Sequence, residues 1–286
     1  MIKSILQPSK PDANTSTSSK RSPLAFFVLI FVLSVPLWVA GFFVEVDGLP
    51  KNMQVTEPVL AFTPLAAASI LVYGEEGLAG VGRLLKRIFD FPRIAHKVWY
   101  VPILFLMPFV YLLSYAGVRL LGISLPVQPH LPLVLIPVLF VVFFVGAAGE
   151  ELGYMGYAAE PMQERWGALT AGIIMGSVWA VWHVPALIQS DQAPAYIAWG
   201  LLAGVGTRIL IIWLYNNTGK SVFAGNLFHV MALFGSSFVA TSASAPITAI
   251  VVVVVTFLWG SKTLARFRYA DHRKGARGKE EKIVAH

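Results

Sequence analysis

Apolar residues run in stretches of membrane-crossing length along most of the chain, separated by short polar and basic segments. A helix needs about 20 mostly apolar residues to cross a bilayer. Eight stretches approach that length, at about 24–44, 55–73, 98–118, 131–149, 168–188, 195–215, 222–239 and 247–264. Prolines inside some of them, such as Pro36, Pro58 and Pro64, are tolerable because neighbouring helices can satisfy the backbone groups they free. The pattern predicts an all-α fold, a polytopic transmembrane helical bundle of about eight spans. Leu78–Phe91 reads differently. Basic and apolar residues alternate there at helical spacing, which predicts a short interfacial helix inside a basic segment at 78–97.

Composition agrees with a membrane protein and orients it. Of the 286 residues, 56% are hydrophobic and 13% are charged, where a soluble domain has about 25% charged residues. The formal net charge of +7 is carried largely by Lys and Arg before the first stretch, between the second and third, and after the eighth. By the positive-inside rule, both termini are expected in the cytoplasm, as an even number of spans requires. The charge therefore reads as orientation and contact with the lipid bilayer, with no nucleic-acid partner. There is no cysteine, which excludes disulfide and thiol chemistry. Residues 1–23 are polar and rich in Ser, Thr and Lys, and are expected to be a disordered cytoplasmic N-terminus. The other expected divisions are N-terminal transmembrane helices at 24–130, a helical core at 131–264 and a basic cytoplasmic tail at 265–286. Oligomeric state has no signature in the sequence.

Within this apolar background a few polar residues stand out. Glu150 and Glu151 end an uncharged run that starts at Leu139. A charge at the centre of a membrane helix costs about 2.5–3.5 kcal/mol on insertion scales, so it usually faces the bundle interior. Two adjacent carboxylates cannot both ionise cheaply in a dry site, which suits one of them to proton transfer. The plainer alternative is a pair at the helix end, reaching the interface. His183 and His229 lie in two other stretches, and Asn226 shares a helix face with His229. Arg208 lies inside a further stretch. A lone histidine in a span is more often structural, but two carboxylates and two imidazoles converging on one buried point form a hydrolase set. Such a set would either bind zinc or position water. Trp179, Trp182, Trp199 and Trp213 read as interface or bundle-filling residues, with a substrate groove as the alternative.

The ordered motifs Gly149-Glu-Glu-Leu-Gly-Tyr-Met-Gly-Tyr157, Arg165-Trp-Gly-Ala-Leu169, Trp179-Ala-Val-Trp-His-Val-Pro185, Trp213-Leu-Tyr-Asn-Asn-Thr-Gly-Lys-Ser221 and Asn226-Leu-Phe-His229 resemble the CPBP family. This is the CAAX-protease and bacteriocin-processing group of intramembrane proteases, also called Abi. The resemblance runs from about Val138 to Phe238. It implies a helical bundle with a polar cavity open toward the cytoplasm, in a bacterial cytoplasmic (inner) membrane. It implies catalytic roles for Glu150, Glu151, His183 and His229, with Arg208 and Asn226 as possible support. Where the enzyme uses zinc, the metal ligands would be His183, His229 and Glu150; otherwise no cofactor is implied. The family pattern places arginine where this chain has Met155, and asparagine where it has Leu233.

The expected function is an intramembrane endopeptidase acting on a membrane-associated protein or peptide, with Glu150 taking a proton from water. Met155 and Leu233 motivate a first alternative, a catalytically impaired relative serving as a membrane scaffold or bacteriocin-immunity protein. A second is a proton-coupled transporter relaying through Glu150 and His183, disfavoured by the lack of evident inverted repeats.

Overall fold

The computed structural model describes residues 21–44, 56–123 and 133–265. The expected disordered N-terminus and basic tail lie almost wholly outside these residues. The described residues form helices and connecting turns, with no strand among them. Nine helices of at least eight residues follow in order: α1 (Pro23–Gly41), α2 (Thr63–Lys86), α3 (Tyr100–Leu120), α4 (Ile136–Gly153), α5 (Ala159–Trp166), α6 (Ala168–Gln189), α7 (Pro194–Asn217), α8 (Val222–Ser236) and α9 (Thr241–Trp259). A five-residue π-helical turn, Tyr154–Ala158, joins α4 to α5.

Seven helical segments among the described residues are long and apolar enough to cross a membrane. They correspond to seven of the eight expected stretches. The eighth, expected at about 222–239, is α8, which has only 15 residues. At 1.5 Å per residue it is about 22 Å long, short of the roughly 30 Å hydrocarbon core. It need not face lipid along its length, because α3, α4 and α7 pack around it and ten of its residues are buried, from Val222 to Gly235.

Exposed apolar residues mark the faces turned outward. On α1 they are Val28, Val32, Val35 and Val39, and on α9 they are Ile250, Val253, Val254 and Phe257. The spacing of three and four residues places each set on one side of its helix. These apolar faces suit acyl chains, while the opposite faces pack inward. α6 and α9 lie along α7, α2 packs on α1 and α4, and α3 packs on α8 and α9. α2 breaks at Gly77, whose φ of 64° and ψ of −166° are not helical. The break separates the expected basic segment from the more apolar first part of the helix. Beyond it, Leu84 and Ile88 are buried and Leu78 is exposed.

Candidate active site

The two glutamates reach the interior because α4 approaches the start of α2 closely. A Cβ on Gly149 would lie 2.5 Å from the carbonyl oxygen of Ala61, and one on Gly153 would lie 2.6 Å from that of Pro64. Only glycine fits at these positions, one helical turn apart, and such small-residue pairs let membrane helices touch backbone to backbone. Glu150 and Glu151 lie between them and are 6% and 0% exposed. The chain then enters the π turn. Such turns interrupt the α-helical hydrogen-bond ladder and are frequent at functional sites. Met155, in this turn, is fully buried and faces Gly225 of α8.

The two carboxylates occupy different environments. Glu151 is held by three hydrogen bonds. Arg208 Nη1 donates to Oε1 at 2.7 Å and to Oε2 at 2.8 Å, and His229 Nδ1 lies 2.9 Å from Oε1. An ionised carboxylate only accepts, so Nδ1 of His229 carries the proton in this contact. Glu150 accepts from the indole Nε1–H of Trp179 at Oε2, and its Oε2 lies 3.8 Å from Arg208 Nη2. Its second oxygen, Oε1, has no hydrogen-bond partner among the described residues.

Trp179 is the hub of the site. Besides its bond to Glu150, its ring lies 4.6 Å from that of His183 and 5.8 Å from that of His229. The Arg208 guanidinium lies 5.0 Å over it and 4.6 Å over the ring of Tyr154. His183 is held edge-on between Trp179 and Trp182, and its Nε2 is buried without a partner. The structure thus gathers Glu150, His183, His229 and Arg208 around one indole, with Glu151 bound to the last two. Asn226 is less involved: its Nδ2 reaches the carbonyl oxygen of Phe144 at 3.4 Å and its Oδ1 is unpartnered. Trp179 and Trp182, read from sequence mainly as filler, are site residues. Trp182 donates to Ser34 Oγ at 2.8 Å, and Ser34 meets Thr63 at 3.0 Å, which ties α6 to α1 and α2.

Glu151, Arg208 and His229 are closed in, at 0%, 1% and 3% exposure, while His183 and Trp179 are half-buried. Three residues that sequence reading did not single out support the site from a distance. Asp90 caps α8: it accepts from Ser221 Oγ at 2.7 Å, from Phe223 N at 3.0 Å and from Val222 N at 3.2 Å. Arg21 and Arg87 both donate to the carbonyl oxygen of Gly156 in the π turn, at 3.1 and 3.3 Å. Arg87 also donates to Tyr215 Oη and to the carbonyl of Lys220.

Among the described residues, no three of His, Asp and Glu are placed to hold a metal ion together. Arg208 puts a fixed cation 2.7 Å from Glu151 and 3.8 Å from Glu150, and the Trp179 N–H occupies one oxygen of Glu150. As arranged here, Glu150, His183 and His229 do not fit a resident zinc ion.

A membrane-helix bundle enclosing a carboxylate pair, two imidazoles and a guanidinium is the class of an intramembrane hydrolase. Residues 132–235, which carry all of these groups, match the type II CAAX prenyl endopeptidase Rce1-like family. The chain is also 27% identical over 237 residues to CAAX prenyl protease 2 of Methanococcus maripaludis, covering 75% of this chain and 84% of that protein. Both similarities support a CPBP-family protease.

Proposed function

We propose that this protein is an intramembrane endopeptidase in which Glu150 activates water without a metal, acting on a prenylated membrane protein that ends in a CAAX sequence. The family match and the relative's name support the substrate class. The observation that carries the mechanism is the division between the two glutamates. Glu151 is fully engaged by Arg208 and His229, while Glu150 keeps one oxygen free. A general base needs such a free oxygen within reach of the water it deprotonates. Glu150 takes the water proton, the oxygen attacks the scissile carbonyl, and the same carboxyl returns a proton to the departing amine. His183, whose Nε2 is buried and unpartnered, orients the water or the peptide. Glu151 and His229 fix the geometry. On this reading α8 is a short eighth crossing inside the bundle, both termini face the cytoplasm, and the protein resides in the bacterial inner membrane.

The test is turnover of a farnesylated peptide ending in Cys-Val-Ile-Ser by protein reconstituted in liposomes. Glu150→Gln should lower kcat by about 10²–10⁴, the usual contribution of a positioned base, while inserting and folding normally. A folded Glu150→Gln variant with undiminished cleavage would exclude the scheme.

A further inference from the structure

We propose that the free edge of Arg208, its Nε–H and Nη2–H, is the oxyanion seat of this site. The inference rests on the hydrolytic reading of Glu150 and deepens it, adding a catalytic residue supplied by α7 rather than by the helices that carry the glutamates and histidines.

A guanidinium is a planar fork with five N–H donors. In Arg208 the Nη1 donors serve Glu151, at 2.7 and 2.8 Å. Nε and Nη2 are buried and have no hydrogen-bond partner, although the residue is only 1% exposed. Buried donors are almost always paired in folded proteins, so two unpaired N–H groups on one cation require an explanation. They lie on the same edge of the guanidinium and point the same way, the arrangement that grips an anionic oxygen from two sides. The rings of Tyr154 and Trp179, at 4.6 and 5.0 Å from Arg208 Cζ, hold the guanidinium in place. Glu151 neutralises its charge without covering that edge.

The position suits an oxyanion better than it suits the substrate's terminal carboxylate. Arg208 Nη2 is 3.8 Å from Glu150 Oε2. A base and an oxyanion donor that each lie about 3 Å from one reacting centre are themselves only a few ångströms apart. A three-residue tail beyond the scissile bond extends about 10 Å, at roughly 3.3–3.6 Å per residue, so its carboxylate lies too far from Glu150 to use the same edge. Met155 and Leu233, which stand where the family pattern has polar residues, offer no donor, and His229 Nδ1 is turned onto Glu151. The step balances. A water proton passes to Glu150, the water oxygen bonds to the carbonyl carbon, and the carbonyl electron pair moves onto its oxygen, which sits on Nε–H and Nη2–H. Collapse re-forms the C=O bond and expels the amine, which takes the proton from Glu150.

The experiment compares wild type with Arg208→Lys, which keeps a cation beside Glu151 but lacks the two-donor edge, and with Arg208→Gln as a second variant should the first not fold. Cleavage of the farnesylated Cys-Val-Ile-Ser peptide is measured together with binding of its phosphinate analogue, in which a tetrahedral P–O⁻ replaces the scissile carbonyl. A folded variant should lose on the order of 10²–10³ in kcat, the usual cost of one oxyanion-hole donor, with KM little changed. Phosphinate affinity should fall by a similar factor, while affinity for the uncleaved peptide is kept. A merely structural role would not separate the two ligands. If wild type cleaves the peptide and a folded variant keeps kcat within threefold, or loses affinity for both ligands equally, the oxyanion assignment is overturned and the Glu150 mechanism stands. If wild type cleaves nothing, the hydrolytic reading falls and this assignment with it.

Discussion

The charge arrangement makes a sharp energetic prediction at Glu151. Replacing it with glutamine keeps the side-chain shape but removes the charge that three hydrogen bonds of 2.7–2.9 Å converge on. Arg208, 1% exposed, is then left as a buried cation, with its nearest carboxylate oxygen 3.8 Å away on Glu150. One glutamine N–H would also face the donors of Arg208 or His229. Removing one partner of a buried pair costs about 3–5 kcal/mol, against about 0–1 kcal/mol for an exposed pair. Glu150 takes up part of the lost partnership, so the lower end, about 3 kcal/mol, is expected. Arg208→Met alone strands Glu151 and should cost a comparable amount. The double variant Glu151→Gln/Arg208→Met removes both charges and should recover most of the loss, because a buried pair replaced by neutral groups of similar size is often no less stable. The assay is reversible unfolding by SDS titration in mixed micelles, followed by tryptophan fluorescence, for wild type, both single variants and the double. The reasoning fails if Glu151→Gln lies within about 1 kcal/mol of wild type, or if the double variant is as unstable as the sum of the singles, since contacting residues must show a coupling energy.

The remaining predictions probe the supports. Asp90→Asn removes the charge from the group that receives Ser221 Oγ and the first two backbone N–H groups of α8. It should cost about 1–2 kcal/mol, as the loss of a helix cap does, and should lower kcat by loosening His229; an unchanged unfolding midpoint would count against this capping role. Trp179→Phe keeps the ring beside His183 and Arg208 but removes the N–H that bonds Glu150. The loss of a hydrogen bond to a charged group, about 1.5–3 kcal/mol, should appear in kcat on the farnesylated peptide at roughly tenfold or more. Cleavage should also survive incubation with 1,10-phenanthroline followed by desalting, because the donor set does not fit zinc; loss of activity that returns on adding zinc would show the metal-free mechanism to be wrong.

The helices were legible because the bilayer demands long apolar runs, and Leu139 to Gly149 can hardly be read otherwise. The exception, α8, is three residues shorter than the expected stretch, because no charged residue separates its end at Ser236 from Phe238 and Val239. Its end is set by packing among α3, α4 and α7, which a one-dimensional window does not see. Glu150, Glu151, His183, His229 and Arg208 were legible for the complementary reason that charge and imidazole are costly in lipid and persist where they face one another. Which of them touch was not legible. Arg208 and Glu151 are 57 positions apart, and their contact depends on how α7 and α4 lie in the bundle. Trp179 was undervalued because its hydrophobic bulk explains its presence in a span, while its single N–H decides its role, and composition cannot tell the two apart. Asp90 was concealed by its neighbours: within a basic segment it reads as a counter-charge, yet its carboxylate serves a helix that begins 132 positions later. The π turn left no local signal at all, since its residues are ordinary for a helix and the interruption is held by Arg21 and Arg87 bonding one backbone carbonyl from two other segments. The chemistry of this site was therefore written in residue types, whereas its division of labour, one glutamate held and one left free, exists only in the packing.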